Sequence, residues 1–266
     1  MKSKFSKLVA LLLIIVLTVG LSACGKKETT VDKIKKSGKI VLGTSPDYPP
    51  YEFINKNKEV VGFDIEIAKQ IAKDLGVTLE IKQMEFKGLL AALDAGNIDF
   101  VLAGMTPDEE RKKSVDFSKI YYTAVQTIVV RAEDKDKIKT TDDLKGKKIG
   151  VQKGTIQENI AKEQVPGAEA KALGKITDLV LAIKSKNIDA AIIEGPVAQA
   201  YVKANKDLVI SEIKLKVEEA GSAVALKKGN EELIKSIDKT LDKLIKDKTI
   251  ESWVTAANNA ADELAE

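Results

Sequence analysis

The chain has 266 residues with 43 basic and 40 acidic side chains, a formal charge of +3, so its charge singles out no nucleic-acid partner. It has no histidine and one cysteine, Cys24, which removes the usual general base, the Ser-His and Cys-His nucleophile pairs, the commonest transition-metal ligand and any disulfide. Carboxylate-only chemistry of the glycosidase kind stays formally open, and nothing in the sequence points to it.

The first element is a leader. Lys2, Lys4 and Lys7 precede a run from Leu8 to Val19 that is apolar except at Thr18, followed by Leu21-Ser22-Ala23-Cys24. That order predicts a signal peptide over 1–23; the run falls short of the roughly 18 to 20 apolar residues of a spanning helix. The quartet resembles the bacterial lipobox, which implies cleavage before Cys24 and a diacylglycerol on its sulfur. Loss of the three lysines leaves 40 basic and 40 acidic residues. Residues 24–36, opening with the charged stretch Gly25 to Thr30, read as a linker holding the body off a membrane.

Roughly 240 residues remain, enough for two lobes of ordinary size. Ile40-Val41-Leu42, ending at Gly43-Thr44, reads as a buried strand. Asp64 is placed to cap a helix whose apolar face is Ile67, Ala68, Ile71 and Leu75, with Gly76 as its stop. Val77, Leu79 and Ile81 alternate as a strand, and Leu89 to Ala95 reads as a helix. The β-α-β-α order predicts an α/β fold, a sheet covered by helices.

An internal echo points to two such lobes. Asn97-Ile98-Asp99-Phe100-Val101-Leu102-Ala103-Gly104 is matched by Asn187-Ile188-Asp189-Ala190-Ala191-Ile192-Ile193-Glu194. Lys39 to Thr44 is matched by Lys148-Ile149-Gly150-Val151 running on into Gly154-Thr155. The alternative is that βα units resemble one another by physics alone. If the lobes are similar, Gly104 pairs with Glu194, and Gly43-Thr44 with Gly154-Thr155, at strand ends that face a cleft.

Only Arg111 and Arg131 are arginine. Arg111 follows Pro107, which suits a first helical turn, and Asp108 to Glu110, which suit its positive end. Its planar guanidinium suits a two-pronged grip on a carboxylate; a surface ion pair with Asp108, Glu109 or Glu110 is the other reading. Arg131, followed by Glu133 and Asp134, reads as a solvated charge. Ser45 to Phe53 packs three prolines and three aromatic residues into a stiff loop whose rings either stack on a ligand or close a core, and Phe86 is a second such wall. Gln152 to Gln157 places Thr155 and free backbone N-H groups at a helix start, an anion-binding arrangement that lacks full phosphate-loop spacing. Glu194, ending an apolar strand, either caps the helix of Pro196 or binds a cation.

Together these features resemble the polar-amino-acid-binding proteins of bacterial ABC importers, from about Lys36 to Lys248. The carriers are Gly43-Thr44 with Tyr48-Pro49-Pro50-Tyr51-Glu52-Phe53, Val61 to Ala68, Ala103-Gly104-Met105-Thr106 with Glu110-Arg111-Lys112, Val115-Asp116-Phe117-Ser118 with Tyr121-Tyr122, Asp143 to Lys147, Gly154-Thr155 and Asp189-Ala190-Ala191. The resemblance implies a type II periplasmic-binding-protein-like fold: two similar α/β lobes with a ligand cleft between them, joined by a two-strand hinge. Lobe 1 would take 37–125 plus 222–266 and lobe 2 126–221, with crossings near Ala124 to Thr127 and Ala220 to Ala223.

By the same resemblance Arg111 would grip a ligand's α-carboxylate, helped by Gly104, Thr106 and the backbone around Thr155 and Ile156. Glu194, where many relatives carry aspartate, would meet the α-ammonium, and Tyr48 and Phe86 would sandwich the side chain. Ser45, at a place where some relatives carry aspartate, and Asp47, Glu85, Gln152 and Gln157 are further polar candidates; Asp47 and Glu85 favour a cationic side chain. The implied function is a lipid-anchored receptor on the outer face of the cell membrane. It captures a polar or basic amino acid as a monomer and delivers it to an ABC permease, with no cofactor, metal or nucleic acid. The alternatives are an amino-acid-sensing lipoprotein and an enzyme on the same fold.

Overall fold

A computed structural model describes residues 28–216 and 220–262. The predicted signal peptide, Cys24 and the first part of the linker lie outside the described residues. Helix α1 (Thr30–Ser37) forms inside the segment expected as a linker. Its start is closed reciprocally by Thr29 and Asp32, and Val31 and Ile34 are buried, a capping box that the surrounding charges mask in the sequence.

The chain continues through β1 (Lys39–Thr44), β2 (Asp47–Tyr48), β3 (Glu52–Ile54), β4 (Val60–Val61), α2 (Phe63–Leu75) and β5 (Thr78–Gln83). A 3-10 turn at Phe86–Gly88 enters α3 (Leu89–Asp94), then come β6 (Phe100–Val101), α4 (Arg111–Ser114) and β7 (Val115–Ala124). The second lobe comprises β8 (Gln126–Arg131), β9 (Lys148–Gln152), α5 (Gln157–Gln164), β10 (Glu169–Leu173), α6 (Ile176–Lys184), β11 (Ala190–Glu194), α7 (Gly195–Ala204) and β12 (Leu208–Ile210). The chain returns to the first lobe as β13 (Ala220–Lys227), α8 (Glu231–Lys246) and α9 (Thr249–Asp262).

Each lobe holds a five-stranded sheet, in the orders β5-β1-β6-β13-β7 and β10-β9-β11-β8-β12. In both, three parallel strands with the first in the middle are followed by one antiparallel strand in fourth place. That fourth strand is the one that follows a crossing: β8 enters the second sheet, and β13 re-enters the first. The fold is therefore two α/β lobes of the same plan. A small antiparallel sheet, β2-β3-β4, is attached to the first.

The sequence echo has a physical basis. Asp99 N-H donates to the Val41 carbonyl and its Oδ2 accepts from Val41 N-H, both at 2.8 Å; Asp189 does the same with Lys148, also at 2.8 Å. Gly43 and Gly150 are the equivalent glycines: a Cβ would lie 2.3 Å from Ile98 Cδ1 in one and 2.4 Å from Ile188 Cδ1 in the other. The counterpart of Gly43 is thus Gly150, and Gly154, four residues on, belongs to the loop after the strand. The glycines exist to let the repeated isoleucines cross β1 and β9.

Helix α2 ends at Gly76 in the left-handed region, φ 75°, as expected. Its start differs: the cap is Gly62, without a side-chain bond, and Asp64 turns inward. The first crossing is at Val125, between β7 and β8. The chain re-enters the first lobe at β13, where Ala220 to Ala223 pair with β7 from Ala220↔Ala124 onward and a Cβ on Gly221 would stand 2.3 Å from Ile120 Cγ2. Arg131 is not solvated: it donates to Asp134 at 2.7 Å and to the carbonyls of Ile183 and Ile188 at 3.0 and 2.8 Å, tying β8 to the end of α6.

Candidate functional site

The parallel strands β1, β6, β9 and β11 direct their carboxyl ends toward the line where the lobes meet, and the loops that follow supply the polar side chains. From the first lobe, Gly104 occupies a left-handed turn, φ 56°, with the Tyr48 ring so close that a Cβ would stand 3.0 Å from Tyr48 Cε1. Thr106 follows. Arg111 opens α4, where Asp108 caps its amide through Oδ1 at 2.8 Å.

The Arg111 side chain is buried, 8% exposed. Its Nη1 donates to the Thr106 carbonyl at 2.7 Å, and its Nη2 reaches across the cleft to the Gly154 carbonyl at 3.0 Å. Its Nε lies 3.4 Å from Asp108 Oδ2. The Phe86 ring lies under the guanidinium, 5.3 Å from Cζ, a favourable cation–π arrangement. Asp108 is half-buried and beside Arg111, so the two readings of this arginine are not exclusive: one carboxylate steadies it and its fork still faces the cleft.

From the second lobe, Glu194 ends β11 and is 4% exposed. It makes no capping bond to α7 although Pro196 sits in that helix's first turn. Its carboxylate instead accepts from Tyr48 Oη at 3.2 Å and from Tyr51 Oη, both from the first lobe. Burial pushes its pKa up to about 7, opposed by the Tyr51 and Tyr48 hydroxyls. Burial also lowers the Arg111 pKa, which Asp108 partly offsets.

Between these two charges lies a cavity of about 20 Å³. It is lined by Tyr48, Phe86, Gly104, Thr106 and Arg111 from the first lobe, with Ala103 beside them. Gln152, Thr155, Ile156, Gln157 and Glu194 line it from the second. Thr155 and Ile156 stand before α5, but the Thr155 hydroxyl donates to the Gln152 carbonyl at 2.6 Å. Gln157 Nε2 donates to Gln126 Oε1 at 2.8 Å.

Ser45, Asp47 and Glu85 lie elsewhere, in a separate groove of about 600 Å³ at the outer edge of the lobe junction. Asp47 Oδ2 accepts from the Ile176 amide at 2.6 Å and from Gln152 Nε2 at 3.3 Å. Ile176 is the first residue of α6, whose own preceding residue offers no side-chain cap. A residue of the first lobe thus caps a helix of the second. Tyr201 of α7 donates to the Asp47 carbonyl at 2.8 Å.

Sequence reasoning gave Tyr51, Gln126 and Glu52 no role at the cleft, and gave Asp64 only that of a helix cap. Tyr51 and Glu52 stood inside the block that carried the resemblance, where an aromatic ring with a polar tip directly after two prolines was the available signal; Gln126 and Asp64 sit in ordinary strand and helix patterns. Among the described residues no group of acidic side chains, Cys or His suits a metal ion, and no helix is long and apolar enough to cross a membrane.

Two α/β lobes closing over a buried cation and a buried anion define a binding protein of the two-lobed, solute-capturing class. Residues 40–256 match the bacterial extracellular solute-binding proteins, family 3, and the chain belongs to that family. It is 45% identical over 230 residues to the arginine-binding extracellular protein ArtP of Bacillus subtilis, covering 85% of this chain and 88% of that protein. Among solved structures, the amino acid ABC transporter substrate-binding protein AbpA of Streptococcus pneumoniae, bound to L-arginine, matches with a TM-score of 0.84 at 37% identity. That match covers 86% of this chain and 98% of the other. An ancestral amino-acid-binding protein, a precursor of cyclohexadienyl dehydratase, matches with a TM-score of 0.79 at 38% identity, over 85% and 100% of the chains.

Proposed function

We propose that this protein is the capture component of an ABC importer, binding a basic L-amino acid, arginine first among candidates, and handing it to a membrane permease. The observation that carries this reading is the pair Arg111 and Glu194. The two charges are buried on opposite lobes and face one small cavity, the complement of a zwitterion's carboxylate and ammonium.

Arg111 offers its fork to the α-carboxylate, with the Gly104 to Thr106 loop and the Thr155–Ile156 turn around it. Glu194 accepts the α-ammonium, which replaces the Tyr48 and Tyr51 hydroxyls or joins them. Tyr48 and Phe86 bound the ligand's side chain, while Gln152 and Gln157 offer amide groups beside it. Asp47 and Glu85, just outside with Ser45, put two carboxylates at the edge of the junction beside Lys175, and these carboxylates suit a cationic tail. The arginine-binding relatives support the same choice.

No acid or base is aimed at a position where a bond would react, which favours binding over catalysis, although a dehydratase precursor shares the fold. Cys24, behind its apolar leader, supports a lipid tether at the outer face of the cell membrane, where a monomeric receptor stays near its permease. A sensing role uses the same site. Thermal unfolding of the chain from residue 25 onward, screened against the common amino acids, tests the reading. At a hundred times its dissociation constant a ligand adds about 2.7 kcal/mol of stability. Arginine should raise the melting temperature most; no rise with any amino acid contradicts the proposal.

A further inference from the structure

Below the cleft the first lobe buries two carboxyl groups that no ligand would touch. Asp64, in the first turn of α2, and Glu52, on β3, are both fully buried. Asp64 Oδ2 accepts from the Gly104 amide at 3.0 Å and from Tyr121 Oη at 2.9 Å. Asp64 Oδ1 and both Glu52 oxygens have no partner of good hydrogen-bond geometry among the described residues, though the Ser45 backbone amide acts on Glu52 and opposes part of its pKa rise.

One proton on Glu52, donated to Asp64, gives Asp64 Oδ1 and one Glu52 oxygen a partner, and leaves the second Glu52 oxygen only the Ser45 backbone amide. Burial pushes Glu52 well above the usual carboxylate range, and the charge of Asp64 pushes it further, so Glu52 is the member that keeps the proton. Asp64 is also raised by burial, to about 7, held down by the Gly104 amide, the Tyr121 hydroxyl and Glu52. The positive end of α2 favours its charge. The titratable groups facing the pair are Tyr121 of β7, Asp47 and Tyr48 of β2 and Glu194 of β11, none of them cationic.

We propose that Asp64, whose ionised form the proton on Glu52 and the Tyr121 hydroxyl stabilise, is the positioning residue that fixes the Gly104 amide and through it the carboxylate-gripping loop. Gly104 has no freedom on its other side, where the Tyr48 ring stands. Two residues on, the Thr106 carbonyl holds Arg111 Nη1 at 2.7 Å, so the orientation of the Gly104 amide is passed to the guanidinium. The inference rests on the reading of the cleft as an amino-acid site.

The test uses the Gly104 amide proton resonance of the ligand-free protein together with L-arginine affinity. In the wild type the resonance should titrate with a midpoint near about 7. In Asp64→Asn it should be flat, with affinity for L-arginine and L-glutamine weakened alike by about tenfold. Tyr121→Phe, which removes one donor to the ionised group and leaves the fold's charges in place, should move the midpoint upward. A Gly104 resonance that is flat in the wild type, or unchanged titration and affinity in both variants, overturns the proposal. Arg111→Lys, measured in parallel, separates this from the underlying reading: if it too leaves affinity unchanged, the cleft assignment itself has failed.

Discussion

At the residue scale, the site is a set of groups whose ordinary charges are opposed by burial. Glu194 and Asp64 both have folded pKa values of about 7, above the ordinary 4.5 and 3.8. Between roughly pH 5 and pH 7 the folded chain therefore binds more protons than the unfolded chain, so stability rises as pH falls through that window. Capture runs the other way, because an ammonium needs Glu194 ionised. The ligand-free melting temperature should increase from about pH 8 to about pH 5 while L-arginine affinity weakens, measured by thermal unfolding and calorimetry over the same buffers. Parallel changes in the two quantities contradict these assignments.

At the element scale, Asp47 links the lobes by capping α6 from across the junction. Removing a cap costs about 1 kcal/mol, which is roughly fivefold in affinity if the bond exists only when the lobes meet. Asp47→Ala should weaken L-arginine and L-glutamine equally if Asp47 acts as a cap. A loss confined to arginine places the carboxylate against the ligand's cationic tail instead. Such links across sequence distance explain what was legible in the chain and what was not. The Gly43 and Gly150 strands, the Asp99 and Asp189 turns and the Gly76 stop follow from local pattern, because each depends on neighbours a few residues away or on a repeated contact. Asp64 looked like a helix cap because aspartate near a helix start usually is one; its destination, Gly104, lies 40 residues on. Arg131 looked solvated for the same reason, its carbonyl partners being 52 and 57 residues distant.

At the scale of the whole molecule, two lobes of one plan meet along strand ends, and each contributes one charge to the cleft. In the arrangement seen, Arg111 holds the Gly154 carbonyl and Glu194 holds two tyrosines of the opposite lobe. The space between them, about 20 Å³, is that of roughly one water molecule. Admitting an amino acid would require these cross-cleft bonds to part, and rotation about the crossing at Val125 and the return strand would part them. Ten of the thirteen residues expected at the cleft line this one cavity; Ser45, Asp47 and Glu85 line the separate groove at the outer edge of the junction, where a one-dimensional pattern cannot tell the inside of a stiff proline loop from the outside.

Arg111 and Glu194 are proposed to grip the two charges of an α-amino acid. Calorimetric titration of the soluble chain with L-arginine and with agmatine, which keeps the guanidinium tail and the amine but has no carboxylate, tests that grip directly. L-arginine should bind, and agmatine should bind at least a hundredfold more weakly, a loss of about 2.7 kcal/mol. Equal affinity for the two would contradict it, because the Arg111 fork would then have no partner in the ligand.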